Sequence, residues 1–261
     1  MRVSNLGGDS PMSRKHLLLL IVLVAYAVSP GVLPATAVQD KERPRPVKLS
    51  QDFLYAVRTG EDPNSYLRSL ADMDSATLVQ SLDSDSKKKA FWINIYNAFI
   101  QIKAKKNPDM VKDGAADFFK KKWIRIASMD LSFDDIEHGI LRASHSVQDR
   151  QLQVENMDCR IHFSLNCGAV SCPPIAFYSP KSIDRELDQA TMNFLITDTT
   201  YTPDKNTVIV SRIFKWYETD FGGEKGILDL LNKYDVIPKD ARPKIKYKEY
   251  DWTLALENYV K

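Results

Sequence analysis

Cys159, His162, Cys167 and Cys172 stand in one short stretch that holds all 3 cysteines and one of the 4 histidines of the chain. Three chemistries suit these residue types. Cys167 can act as a nucleophile, with His162 or His138 as its base, Asp134 or an asparagine orienting the imidazole, and backbone N–H groups near Gly168 receiving an oxyanion. Such a set would make an acyl hydrolase or transferase, because a thiol attacks only as the thiolate that a neighbouring base or positive field provides. The order of a papain-like enzyme, nucleophile first and histidine later, is not met. In the second chemistry Cys167 and Cys172 close a small disulfide loop, which removes Cys167 as a nucleophile and leaves a braced binding or structural module. The third is a zinc knuckle with permuted ligands, Cys159-x2-His162-x4-Cys167-x4-Cys172. The brace is the first expectation, the thiol enzyme its alternative, and no metal or cofactor is assigned.

The elements that must position these groups follow from periodicity. Polar and apolar residues alternate over 160–165, which predicts a strand with Ile161, Phe163 and Leu165 on a core face and Arg160, His162 and Ser164 on the other. Pro173 and Pro174 supply no N–H for pairing, so Cys167 and Cys172 are expected on a loop. Residues 91–102 are apolar nearly all round, the pattern of a helix buried at the centre of a domain. On it Asn94, Asn97 and Gln101 recur at i, i+3 and i+7 as one polar stripe, expected either to fasten neighbouring loops or to orient a site group. Ser132 and Asp135 read as a variant capping box opening another helix. On that helix Asp134, Asp135 and Glu137 suit the positive end of the helix dipole; in the alternative reading Asp134, four residues from His138, fixes the imidazole tautomer and raises its basicity.

Further helices are expected around Phe53–Val57, Tyr66–Leu70, 75–82 and 182–195, and strands at 123–126 and 208–210. Residues 213–217 run into a short helix ended by Gly222-Gly223, Ile227 to Leu231 belong to a further helix, and the aromatic tail with Tyr247, Tyr250 and Trp252 is expected to pack back on the body. The sum is a single α+β domain, mostly helical, with a small sheet and a buried central helix beside the 160–165 strand.

At 261 residues, 44% hydrophobic and 27% charged, the chain can bury a substantial core. Met12-Ser13-Arg14-Lys15-His16 is basic, residues 17–28 are unbroken apolar, and Ala35-Thr36-Ala37 has the form of a signal-peptidase site, with cleavage expected between Ala37 and Val38. Ser29-Pro30-Gly31 interrupts the apolar run before it reaches the roughly 20 residues a spanning helix needs. Residues 1–37 are therefore read as a signal peptide, 38–48 as a spacer and 49–261 as the domain, of an exported protein in the periplasm or outside the cell. Arg2, Arg14 and Lys15 less Asp9 carry the whole formal charge of +2, so the mature chain is neutral. Neutrality speaks against nucleic acid as a partner. The lysine groups at 87–89, 103–106 and 120–122 are expected as solvated helix faces, with a patch for an acidic polymer or a component of the cell envelope as the alternative.

The segments 90–98, 131–142, 160–169, 171–174 and 211–217 together resemble the family catalogued as domain of unknown function 547, in the family's order and over about residues 78–221. The resemblance implies an α+β domain of exported bacterial proteins and of some larger eukaryotic ones, and it brings no assigned activity. Within these segments Asn166, Arg142 and Lys215 join Asn94 and Asn97 as candidate binding or orienting residues. Cys159 stands where the family usually has proline, which makes it the cysteine left over from a Cys167–Cys172 pair.

Export with loss of the leader has a direct check. Edman sequencing of the mature protein should begin at Val38 or within a residue or two of it, and recovery of the full-length chain from an integral membrane fraction would contradict the signal reading.

Overall fold

Phe53 and Leu54 are fully buried on the first helix of the computed structural model, α1 (Pro46–Thr59), which describes residues 45–145 and 147–260. Proline opens this helix at its first turn, where a missing N–H is harmless, so residues 46–48 belong to the helix and the expected spacer is shorter than read. The leader and the Ala37–Val38 bond lie outside the described residues. Two short helices follow, α2 (Asn64–Ala71) and α3 (Ser75–Ser81), the latter capped by the Asp74 carboxylate accepting from Thr77 N–H.

Helix α4 (Asp85–Lys106) is the centre of the main core. Every residue from Ala90 to Gln101 is buried, as its all-round apolar pattern requires. Its polar stripe is paired with backbone from distant loops. Asn94 Nδ2 donates to the Tyr178 carbonyl (2.9 Å) while its Oδ1 accepts from Tyr178 N–H (3.0 Å). Asn97 likewise donates to the Ser164 carbonyl (2.8 Å) and accepts from Asn166 N–H (2.9 Å), and Gln101 Oε1 accepts from Glu257 N–H (2.7 Å). The amides thus fasten the chain at 164–166, 178 and 257 to one rigid helix.

After the short helices α5 (Pro108–Val111) and α6 (Ala116–Lys120), strands β1 (Ile124–Ile126) and β2 (Met129–Leu131) form an antiparallel hairpin. Ser132 then caps the next helical segment as expected: its Oγ accepts from Asp135 N–H (3.0 Å), and the Asp135 carboxylate accepts from Ser132 N–H (2.6 Å). That segment, Asp135–Leu141, is wound as a π-helix, with Arg142 N–H reaching back to the Glu137 carbonyl (2.9 Å).

The expected strand at 160–165 is not formed. Cys159–Phe163 is a 3₁₀ turn, followed by irregular chain. The cause lies one residue upstream, where Asp158 accepts from Arg160 N–H (3.1 Å) and from its guanidinium (2.7 and 2.9 Å), a local pairing that outcompetes a ladder. The turn sends Ile161 into the main core and Phe163 into a second apolar cluster, whereas a strand would point both the same way.

That second cluster is built by α7 (Ile183–Asp198), β3 (Thr200–Thr202), β4 (Thr207–Val210), α8 (Ile213–Trp216), α9 (Gly223–Lys233) and β5 (Lys244–Tyr247). Strand β4 pairs antiparallel with β3 and parallel with β5, giving a second small sheet where one was expected. The result is a single, mostly helical α+β domain. Among the described residues no helix is long and apolar enough to cross a membrane.

Replacing Asn97 with leucine would leave the Ser164 carbonyl and Asn166 N–H buried without partners. Asn97→Leu or Asn94→Leu is expected to lower stability by about 1–3 kcal/mol, whereas Lys215→Ala on the surface is expected to leave the melt close to that of wild type. Urea melts of the three variants against wild type measure this directly.

Candidate functional site

The helix-borne amides converge on the cysteine loop. Asn97 anchors Asn166, whose own side chain donates to the Pro173 carbonyl (2.8 Å) and accepts from Gly168 N–H (2.9 Å), so both ends of the loop are tied to α4 through one asparagine. Inside it Cys167 and Cys172 form a disulfide, and Cys159 is free, half-buried, its thiol pushed up by burial first and then by the Asp158 carboxylate. A bonded Cys167 offers no thiolate for attack.

The loop in turn holds the tail. Val170 N–H donates to the Thr253 carbonyl (2.9 Å), and Ala255 N–H to the Gly168 carbonyl (2.8 Å). This docking lays Tyr250 and Trp252 beside Trp216, with ring centroids 4.7 and 5.8 Å from it. Gly114 is required opposite: a Cβ there would lie 2.5 Å from the Trp252 ring, and its φ of +65° is one that side chains disfavour.

Between these parts is a cavity of about 430 Å³ whose walls include Phe119, Trp216, Tyr217, Tyr250 and Trp252 on the aromatic side and Asp134, Glu137, His138, His162 and Cys167 on the polar side. Glu137 accepts hydrogen bonds from two phenols, Tyr217 (2.6 Å) and Tyr96 (3.3 Å). Burial, and then the Glu137 charge, push both phenols well above their ordinary range, so they remain donors. Burial raises the Asp134 carboxyl, an effect that His138 partly offsets and Glu137 reinforces.

The two histidines are fixed by other partners than the sequence suggested. Arg142 Nη1 lies 3.0 Å from His138 Nδ1, and a guanidinium can only donate, so Nδ1 accepts. The proton of the neutral ring is then on Nε2, 3.9 Å from Asp134 Oδ1: Arg142, and not Asp134, sets the tautomer, and the ring presents a donor to that carboxylate. Arg142 is also bound by both oxygens of Asp220 (2.6 and 2.9 Å), while His162 Nε2 meets Asp220 Oδ2 at 2.8 Å. Burial opposes the Asp220 charge, but hydrogen bonds from His162 and Arg142 outweigh it and hold the carboxyl well below the usual range. His162 stacks on Tyr217 at 3.8 Å, and its Nδ1 is buried without a protein partner.

Of the residues singled out in the sequence, Asp134, His138, His162 and Cys167 line one cavity, Arg142 backs it, and Asn97 and Asn166 hold its floor. Asn94 acts elsewhere, on Tyr178, and Lys215 is on the surface with Glu218 (2.9 Å). Of the lysine groups, Lys87, Lys89 and Lys122 are paired with Asp83, Asp158 and Asp135. Among the described residues no group of three or more His, Cys, Asp or Glu side chains is gathered to hold a metal. The sequence reading missed Asp220, Tyr217 and Tyr250 as site residues and took Glu137 for a helix-dipole partner. Glu137 had a local signal, three residues after Asp134 and next to His138. Asp220 had none, being 58 residues from the histidine it holds.

A family model described as "Protein of unknown function, DUF547" matches residues 79–195. The match takes in Glu137, His138, Arg142, His162 and both bonded cysteines, and it stops short of Tyr217, Asp220, Tyr250 and Trp252. No curated protein and no solved structure matches the chain significantly. Over residues 79–195, from the third helix through the cysteine loop, this chain is similar to the DUF547 family of proteins of unknown function.

Proposed function

We infer that this protein is an exported, disulfide-braced binding domain whose cavity takes a small organic cation, of the ammonium or guanidinium class. The observation that carries the reading is the state of Glu137: it lies in a cavity wall, accepts hydrogen bonds from two neutral phenols, and makes no ion pair with a basic side chain among the described residues. Arg142 is held in a two-point pair with Asp220 and reaches Glu137 only through a longer-range attraction, without a direct ion pair. Asp134 adds a second carboxyl beside it. An anion would be repelled there, whereas a cation gains the carboxylates and the negative faces of the aromatic wall together.

Export is supported by the apolar run at 17–28 and by Ala35-Thr36-Ala37, together with a disulfide of the kind oxidising compartments maintain. The brace supports binding by fixing the loop on which Tyr250 and Trp252 are docked.

Trp216 and Trp252 line the cavity, so their fluorescence should report its occupant. Choline and arginine amide are expected to shift the emission saturably, the uncharged choline isostere 3,3-dimethylbutanol much less, and acetate not at all. Glu137→Gln should weaken choline binding by about tenfold or more, which is about 1.4 kcal/mol. Binding requires ionised carboxyls, so affinity should fall as pH drops; because the Asp134 carboxyl is raised, the loss should begin above the ordinary aspartate value of about 3.9. Equal affinity for the neutral isostere, or no response to any cation, would refute the assignment.

A further inference from the structure

The two sulfurs of the disulfide are not equivalent. Cys167 is half-buried in the cavity wall, while Cys172 is 4% exposed, behind it. Cys172 Sγ accepts from two backbone donors, Cys167 N–H and Ala169 N–H, each at 3.1 Å. The residue between them, Gly168, has φ +85°, and this left-handed step turns the flanking N–H groups to the same side, as in an anion-binding nest. The Tyr250 hydroxyl completes the arrangement, 3.1 Å from Cys167 Sγ and 3.3 Å from Cys172 Sγ. Burial, and then the charges of Glu137 and Asp198, push this phenol up, so it keeps its proton. Two N–H donors on one sulfur, with a hydroxyl in reach of both sulfurs, are more than a closed disulfide uses, since a divalent sulfur accepts weakly and a thiolate strongly.

We propose that Cys167–Cys172 is a redox-active disulfide with a fixed polarity, in which a thiol entering the cavity attacks Cys167 and Cys172 is the leaving group. A thiolate R–S⁻ attacks Cys167 Sγ, a new S–S bond joins R to Cys167, the Cys167–Cys172 bond breaks, and its electron pair remains on Cys172 Sγ as a thiolate. The two N–H groups and the Tyr250 hydroxyl receive that charge, which makes Cys172 the better leaving sulfur. A second thiolate attacking the sulfur of R then releases R–S–S–R and leaves Cys167 as thiolate. Two thiols are oxidised and the protein disulfide is reduced, with no other reactant. The groups that share the cavity wall with the reacting sulfur are Asp134, Glu137, His138, His162 and Tyr250. The anionic members disfavour an acidic thiol such as glutathione relative to cysteamine, whose ammonium suits the same carboxylates. The polarity itself rests on the donors at Cys172 and not on the ligand class argued above.

The test uses the oxidised chain with Cys159→Ser, which leaves the pair intact. Cysteamine is added, the reaction is quenched with acid and N-ethylmaleimide, and the peptides are mapped by mass. The expected result is cysteamine on Cys167 and maleimide on Cys172, by roughly tenfold or more over the reverse, with the preference lost in urea. Tyr250→Phe should slow the opening several-fold without changing which sulfur is attacked. In Cys159→Ser/Cys167→Ser, checked for folding by its melt, the Cys172 thiolate absorbance should titrate below the ordinary thiol value of about 8.5. Equal adducts on the two cysteines in the folded protein, opening only under unfolding conditions, or a Cys172 titrating at or above that value would each overturn the proposal. Failure of choline to bind would leave these outcomes unaffected, so the two readings fall separately.

Discussion

A polar side chain in the middle of an apolar helix must find partners, and in this domain that requirement organises everything else. Asn94, Asn97 and Gln101 are buried, and each takes a partner from the backbone of a segment far away in the chain. Asn97 is the most consequential of them. Because it binds both the carbonyl of Ser164 and the N–H of Asn166, it fixes the direction in which the chain leaves the 3₁₀ turn and enters the disulfide loop. Asn166 extends the same restraint to Gly168 and Pro173. A pair of amides thus converts the rigidity of α4 into the rigidity of a loop that has no ladder of its own.

Charge in the cavity is arranged by the same logic of exclusive partners. Asp220 is the hub of a connected set, paired at both oxygens with Arg142 and at one with His162, while Arg142 also donates to His138. What is left over is the carboxylate of Glu137, which phenols can hydrogen-bond but cannot neutralise. Asp134, Glu137 and His138, spaced i, i+3 and i+4, reach the cavity wall from one short helical segment.

The helices were legible because their apolar residues repeat at the right period, and one of them because its start carries the right cap, at Ser132–Asp135. The polar stripe of α4 was legible for the same reason: a departure from an otherwise uniform pattern marks a residue that must be satisfied. The segment 160–165 was misread because alternation describes a strand only if nothing local competes, and the Asp158–Arg160 pairing does compete. The disulfide followed from loop chemistry and cysteine number. Asp220, Tyr250 and Trp252 could not be placed, because what brings them to the cavity is the docking of one loop on another, which leaves no period or spacing in the sequence. The parallel pairing of β4 with β5 is hidden for the same reason.

The docking of residues 250–255 on the cysteine loop has a consequence for the order of events in folding. Gly114 must meet Trp252, Glu137 must meet Tyr217, and Gly168 must meet Ala255, and each meeting closes a long stretch of chain whose entropy is lost before the contact returns anything. The buried helix and its neighbours on α1 can form from local sequence, but the cavity cannot exist in any partly assembled state that lacks the 250–255 segment. A partly synthesised chain therefore has a core without a site. An occupant that binds only the finished cavity stabilises the whole native state at once, so its presence would be felt in the melting of α4 as much as in the loops that touch it.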